Sequence, residues 1–187
     1  MLTLFNSLVR SGLEYCCQLW SLTKLKLIDA VEQIQKSFTR KIDSLENLTY
    51  WDRLKKLEIL SLQRRREKLI ILHTWKIRNH IVPNNINLEF NENPRNLVVK
   101  AVLKPLPRVQ GKLLSSFENS FVIKSAKLWN KLPPQLTEIS NLKIFQNKLD
   151  KYLRLIPDKP PVHGIYHQTH NSILDYKIPS LESVFKN

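Results

Sequence analysis

The 187-residue sequence has only three glycines, Gly12, Gly111 and Gly164. A loop that cradles a phosphate needs glycine, because the backbone must approach the ligand without side chains in the way. The two cysteines, Cys16 and Cys17, are adjacent, and a disulfide between neighbouring residues is strained and rare. We therefore expect no nucleotide-binding loop, and two reduced thiols in an intracellular protein, cytoplasmic or nuclear.

Long apolar runs are also missing. No stretch approaches the roughly 20 apolar residues that span a bilayer. The apolar segment at the start has no basic region before it and is interrupted by Arg10, unlike a signal peptide. We therefore expect no membrane partner.

Paired carboxylates are missing as well. The six aspartates are scattered, and no HExxH, CxxC or GxSxG motif occurs. A polymerase holds two magnesium ions with two or three converging carboxylates. We therefore expect no enzyme activity of its own, no small-molecule substrate and no cofactor in this chain.

Positive charge is abundant, with a formal net charge of +14. Residues 53–80 hold nine basic side chains against two acidic ones, and residues 94–131 hold eight against one. Each block is therefore +7, and the charges of the remaining residues cancel. A polyanion-binding surface requires such clustering, although two solvated lysine-rich faces would have the same composition.

The apolar spacing predicts a mainly α chain. Residues 2–20 are expected to form one helix broken at Ser11-Gly12, or two short helices. A helix over 27–42 has a single apolar stripe, the pattern of a helix that packs by one face. The stripe consists of Leu27, Val31, Ile34, Phe38 and Ile42.

Further helices follow from caps and proline breaks. Thr49 caps a short helix through Leu57, and a longer helix over 61–80 is apolar on nearly every side of its second half. Helical spacing returns at Phe117 and stops at Pro133-Pro134. Ser140 caps the last helix.

These elements predict two lobes and a tail. Residues 1–82 form a helical lobe, and residues 83–96 an asparagine-rich polar linker. Residues 97–156 form a smaller, basic α lobe with two helices and room for one short β-hairpin. Residues 157–187 are expected to be a loosely ordered tail.

Three side-chain groups have two readings each. On a helix, the consecutive arginines 64–66 cover most of the circumference, so at least one points outward to phosphates; the alternative is salt bridging to Glu58 or Glu67. The four tryptophans could stack on bases, but each lies on or beside an apolar face, which favours core packing. Three tail histidines lack a fourth zinc ligand and are better read as loop residues. They are His163, His167 and His170.

Several motifs occur in a fixed order along residues 2–153. The first two are LVRSGLEY at 8–15 with QLW at 18–20, and VEQIQK at 31–36. The third comprises Tyr50, Arg53-Leu54 and Leu57, followed by LQRRR at 62–66. The last two are SF at 120–121 with LWNKLP at 128–133, and Leu142 and Phe145 with KLD at 148–150. Together they resemble the thumb and post-thumb region of the reverse transcriptases of jockey-like non-LTR (LINE) retrotransposons.

The resemblance implies a fold and a place in a larger protein. Residues 2–80 would be thumb helices that grip the template–primer duplex, and residues 94–153 a post-thumb segment with an RNA-binding role. The endonuclease and the palm, with its magnesium ions, would lie upstream and are absent here. Residues 2–20 would contact the polymerase palm. Lys124 stands where the family usually has arginine, which weakens a bidentate contact there.

We therefore predict a helical thumb-like bundle followed by a smaller α lobe, a non-catalytic fragment that binds RNA or an RNA–DNA hybrid through phosphates. The rival interpretations are a helical protein-interaction module that docks through residues 2–20, and a decayed remnant without a selected function. An independent enzyme comes last. The expected phosphate contacts are Arg64, Arg65, Arg66 and Lys68 on one face, and Lys100, Lys104, Arg108, Lys112 and Lys124 on the other.

Overall fold

The computed structural model of the protein describes residues 2–18, 24–85, 88–91, 100–103, 120–159, 162–163, 167–168 and 171–176. As predicted, the protein is mainly α. The helices are α1 (Leu2–Leu4), a π-helical turn (Phe5–Arg10), α2 (Ser11–Glu14), α3 (Leu25–Arg40), α4 (Tyr50–Lys56), α5 (Leu62–Arg78), α6 (Phe121–Asn130), α7 (Pro134–Thr137), α8 (Leu142–Leu155) and a 3-10 turn (Ile173–Asp175). The strands are β1 (Leu88–Asn91), β2 (Lys100–Leu103), β3 (Val162–His163) and β4 (His167–Gln168).

The chain divides into two compact units, and the division falls inside α5. Unit 1 comprises Met1–Glu67 and Pro157–Asp175, and unit 2 comprises Lys68–Ile156 and Tyr176–Asn187. These units differ from the predicted lobes, because the first lobe was expected to reach residue 82. The predicted tail also differs: Asn171 and Ile173 are buried in unit 1, so a loosely ordered segment is the wrong description of residues 171–175.

The predicted helices over 27–42 and 61–80 are confirmed as α3 and α5, and Thr49 caps α4 by accepting a hydrogen bond from the Asp52 N–H (3.3 Å). Two details differ. The first segment does not break at Ser11-Gly12, because the π-helical turn passes directly into α2. The cap of α8 is Asn141, one residue after the predicted Ser140, with its side chain accepting from the Ile144 N–H.

The apolar stripe of α3 is not the face that this helix buries. The buried residues are Ile28, Glu32, Gln35 and Thr39, three of them polar. On a helical wheel this face lies roughly 90° from the stripe. The core of unit 1 therefore includes a polar network, and the stripe expected to pack inward lies to one side of it.

Polar side chains from three segments satisfy one another in this network. Arg10 Nη2 donates to Gln35 Oε1 (2.9 Å) and to the Leu60 carbonyl (2.8 Å). Gln35 Nε2 donates to the Tyr50 hydroxyl (3.0 Å) and to the same carbonyl (3.2 Å), and the Tyr50 hydroxyl donates to Glu32. Buried polar groups are tolerated when each finds a partner, so this network holds the helical segment 2–14, α3 and α4 in one arrangement.

The first turn of α5 is capped by side chains from distant parts of unit 1. Asp158 accepts from the Ser61 N–H (2.6 Å), Glu32 accepts from the N–H groups of Leu62 (3.1 Å) and Gln63 (3.3 Å), and the Ser61 hydroxyl accepts from the Arg64 N–H (3.2 Å). A helix start leaves four amide groups without helical acceptors. At the start of α5, each amide of residues 61–64 has a side-chain acceptor.

Unit 2 is built on aromatic packing. Trp75 stacks on Phe145, with ring centroids 5.5 Å apart, and its indole N–H donates to the Ile139 carbonyl (2.7 Å). Trp129 is fully buried between Phe90 and Phe145. Trp75 and Trp129 thus pack in the core, as predicted, instead of presenting their rings to bases.

A short antiparallel β-hairpin lies beside α6. β1 pairs with β2 in the register Leu88 to Leu103, and Asn130 at the end of α6 both accepts from the Ala101 N–H (2.8 Å) and donates to its carbonyl (3.0 Å). Only one strand of this hairpin, β2, lies within 97–156, where the hairpin was expected. Its partner β1 lies in the segment 83–96 that was predicted to be a linker.

Glu32→Gln should change how stability depends on pH. Burial raises the pKa of Glu32 above its usual 4.5, so the folded protein binds this proton more readily than the unfolded chain. The corresponding stability is fully present below about pH 4.5 and is lost as the pH rises through the raised pKa. We expect Glu32→Gln to reduce this fall in the free energy of unfolding, measured by urea denaturation from pH 4.5 to 7.

Asp29→Asn on the exposed side of the same helix is the matched control, and it should change the free energy of unfolding by less than about 0.5 kcal/mol. Glu32→Ala should lower stability by about 3 kcal/mol, because it leaves the Tyr50 hydroxyl and two amides without an acceptor. An identical pH dependence in Glu32→Gln and the unmutated protein would contradict the raised pKa of Glu32, and unchanged stability of Glu32→Ala would contradict its role at the start of α5.

Candidate nucleic-acid interface

The predicted first face centres on Arg64, which the structure buries completely. Its Nη2 donates to the Pro157 carbonyl (3.1 Å) and to Asn171 Oδ1 (3.2 Å). These contacts connect the start of α5 to Pro157 and Asn171 within unit 1. Arg64 is thus an interior structural residue, because the charge that was expected to meet phosphate is covered by protein.

The next two arginines have different environments. Arg65 is the most exposed of the three, and its guanidinium forms a two-pronged pair with Glu14, with Nη2 2.7 Å from Oε2. Arg66 is buried, and that burial lowers its pKa. The salt-bridge alternative is therefore observed for Arg65, although its partner is Glu14 and not Glu58 or Glu67.

Lys68 opens the part of α5 that belongs to unit 2. Its ammonium pairs with the carboxylate of Asp150 on α8. The four residues of the predicted first face are therefore buried or paired within the protein and do not form the solvent-facing basic surface that the sequence suggested. Binding of phosphate by them stays a prediction without support from their geometry.

The predicted second face falls mostly outside the described residues. Lys104, Arg108 and Lys112 lie there, and Lys100 is described only in its backbone, as the first residue of β2. Lys124 lies on α6 and is half-buried. These five residues keep their predicted role without a structural test.

An exposed basic face does occur on α8. Phe145, Leu149, Tyr152 and Leu153 are its buried side, and the opposite side presents Lys143, Lys151 and Arg154 to solvent. The spacing of 8 and 3 residues brings these three side chains onto one side, over roughly 16 Å of helix. These three residues are not among the predicted phosphate contacts, although their spacing places them on one side of a helical wheel.

The single carboxylate of α8 does not cancel this charge. Asp150 is paired with Lys68, which lies in the same unit. A carboxylate already neutralised by one cation weakens the field of other cations less than a free one would. The outer side of α8 therefore remains positive.

The positive charge is concentrated in one unit. Unit 2 contains 17 lysine and arginine residues against 6 aspartate and glutamate residues, a net charge of +11, whereas unit 1 contains 13 against 10, a net charge of +3. The two equal basic blocks of the sequence thus become one strongly basic unit and one nearly balanced unit. The arginines 64–66 lie in unit 1, where carboxylates are frequent.

Other site types receive no support from the described part of the chain. In that part, no group of three or more His, Cys, Asp or Glu side chains is placed to hold a metal ion. His163 and His167 are opposite each other in the β3–β4 pair, and His170 lies outside the described residues. No helix within the described ranges has the length and apolar character that crossing a bilayer requires.

Comparison of the chain with family models, with curated proteins and with solved structures gives no match. The resemblance to LINE reverse transcriptases therefore stays a prediction from the motifs.

Arg64→Met should destabilise the protein, because it removes a buried guanidinium and leaves Asn171 Oδ1 without that donor. We expect a loss of about 3 kcal/mol in the free energy of unfolding, measured by urea denaturation. Lys55→Met, at an exposed position of α4, is the control and should change stability by less than about 0.5 kcal/mol. Equal stability of the two variants would show that the contacts of Arg64 with Pro157 and Asn171 do not stabilise unit 1.

Proposed function

We propose that this chain binds RNA or an RNA–DNA hybrid through phosphate contacts made by unit 2, as a non-catalytic part of an RNA-directed DNA polymerase. The observation that carries the proposal is the net charge of +11 on unit 2, with the cations of α8 facing solvent. Phosphate contacts supply most of sequence-independent nucleic-acid binding. The ordered motifs that resemble thumb and post-thumb sequences support the same function.

The outer side of α8 fits this role by its dimensions and composition. Lys143 and Arg154 are 11 residues apart, which is roughly 16 Å along a helix. Measured along the axis of double-stranded DNA, where each strand has one phosphate per roughly 3.4 Å, that length corresponds to about five phosphates. Asn147 lies between them on the same side and adds an uncharged hydrogen-bonding group. Such a face would bind the backbone with little reading of base sequence.

The predicted second face lies in the same unit. Lys100, Lys104, Arg108, Lys112 and Lys124 all belong to the range Lys68–Ile156. On this proposal they bind phosphate in addition to the cations of α8. In unit 1, by contrast, the arginines 64–66 are not expected to bind phosphate, because they are buried or paired within the protein.

The test replaces Lys143 and Lys151 together by glutamate. Both side chains are exposed, so the fold should survive, as circular dichroism would show. Binding of the full chain to a labelled RNA–DNA hybrid is measured by fluorescence anisotropy across a salt series. We expect the affinity to fall at least about tenfold and the slope of log K against log salt to become shallower by about 2, one for each lost phosphate contact.

The matched control is Lys55→Glu with Lys56→Glu on α4 of unit 1, which alters the net charge equally at two exposed positions. We expect this pair to weaken binding less than about threefold. If the affinity falls by the same factor in both double variants, binding depends on the total charge of the protein and not on the cations of unit 2. If Lys143→Glu/Lys151→Glu binds as the unmutated chain does, the proposed surface is wrong.

A further inference from the structure

An apolar surface of unit 1 lies open beside its polar core. The stripe of α3 lies to one side of the buried face, and in it Leu27 is 47% exposed and Ile34 is 42% exposed. The exposed apolar area costs free energy in water, roughly 25 cal/mol for each Å². A contiguous surface of this kind marks an interaction site more often than scattered single residues do.

The helical segment 2–14 provides a second wall. Phe5 stacks on Phe38 of α3, with ring centroids 4.0 Å apart and the planes 10° from parallel. The π-helical turn widens the helix by one residue per turn and buries Phe5 and Arg10, five residues apart. Leu8 (72% exposed) and Val9 are left facing solvent.

Between these walls runs an open groove of about 510 Å³. Its lining is mainly apolar, from Phe5, Val9, Ile34 and Phe38, and it also includes Gln33, Ser37 and Lys41. Its lining residues on α3 run from Gln33 to Lys41, roughly two helical turns, and the groove is open to solvent. It could not enclose most of a small molecule, as a ligand pocket does, but it offers a track for an elongated apolar ridge.

The charges beside the groove are mostly basic. Lys41 lines the groove. Lys26 and Arg40 lie on the adjoining side of α3, seven residues before and after the uncharged Gln33, and all of these residues are exposed. Asp29 is the one acidic residue among them on this side of α3. A partner that covers the apolar track would therefore place its own flanking side chains against positive charge.

We propose that this groove binds an amphipathic helix of a partner protein, with an apolar stripe that enters the groove and aspartate or glutamate along its flank. Helix-in-groove recognition uses anchors at positions i, i+3, i+4 and i+7, and the basic residues beside the groove would set the orientation of the helix and disfavour basic partners. The surface is distinct from α8, so this proposal stands or falls independently of nucleic-acid binding.

A second copy of this chain fits the surface poorly. A two-fold interface brings the same patch of both copies together, so the basic residues beside the two grooves would face each other. The net charge of +14 adds a general repulsion between copies. An anionic membrane would match the charge, but a track sunk between two helical segments presents its apolar side chains less well to a lipid surface than a projecting helix face does.

The experiment uses three labelled peptides of about 18 residues. The first has leucines at helical i, i+3, i+4, i+7 spacing with glutamates on the flank, the second has lysines in place of the glutamates, and the third has serines in place of the leucines. Binding to the full chain is followed by fluorescence anisotropy. We expect a dissociation constant in the micromolar range for the first peptide and at least about tenfold weaker binding for the other two.

Variants of the protein locate the site. Ile34→Ser and Val9→Ser, both at half-exposed positions, should each weaken the first peptide about fivefold, and Lys41→Glu should weaken it while improving the lysine peptide. Ile144→Ser on α8, where the residue is 49% exposed, is the matched control and should have no effect.

Three results would overturn the proposal. They are equal binding of the glutamate and lysine peptides, binding of the first peptide that is unchanged in Ile34→Ser and Val9→Ser, and no binding of that peptide at millimolar concentration. Dimerisation of the chain that Ile34→Ser abolishes, seen by sedimentation, would assign the groove to a second copy instead. Binding to anionic vesicles that Ile34→Ser and Lys41→Glu abolish, without peptide binding, would assign it to a membrane.

Discussion

The first turn of α5 begins in the interior of unit 1, and its amide groups have to be satisfied there. Two carboxylates from distant parts of the chain, Glu32 and Asp158, meet at this point and accept from residues 61–63. A carboxylate at a helix N-terminus also interacts favourably with the helix dipole. Because Glu32 must face α5, α3 is held in one rotation about its axis. The remaining polar contacts of the core, from Arg10 to Tyr50, depend on that rotation.

This rotation explains why the helices could be predicted from the sequence while their packing could not. The period of apolar residues gave the bounds of α3 within a few residues, since helix formation depends on local spacing. The same period suggested the wrong buried face. Gln35 and Thr39 are fully buried, and they are tolerated because Arg10, Tyr50 and Arg53 supply their partners. Partners so distant in sequence cannot be identified from spacing alone.

At the candidate site, the sequence likewise predicted the amount of positive charge but not which cations face solvent. The net charge and its clustering are properties of the sequence, and they pointed to nucleic acid. Counting by blocks, however, could not separate Arg64, whose guanidinium is buried, from Lys143, whose ammonium faces solvent. Folding moves Glu14 next to Arg65 and Asp150 next to Lys68. The cations left outward after this pairing are the ones on which binding is expected to depend.

The order of segments in unit 1 has a consequence for synthesis on the ribosome. Residues 1–67 emerge first, but Asp158, Asn171 and Ile173, which complete the unit, emerge about a hundred residues later. At 5–20 residues per second the delay is roughly 5–20 s. The main segment of unit 2, Lys68–Ile156, is synthesised within that interval, and Ile156 precedes Asp158 by only two residues. The start of α5 therefore gains its second carboxylate only after that segment has been synthesised.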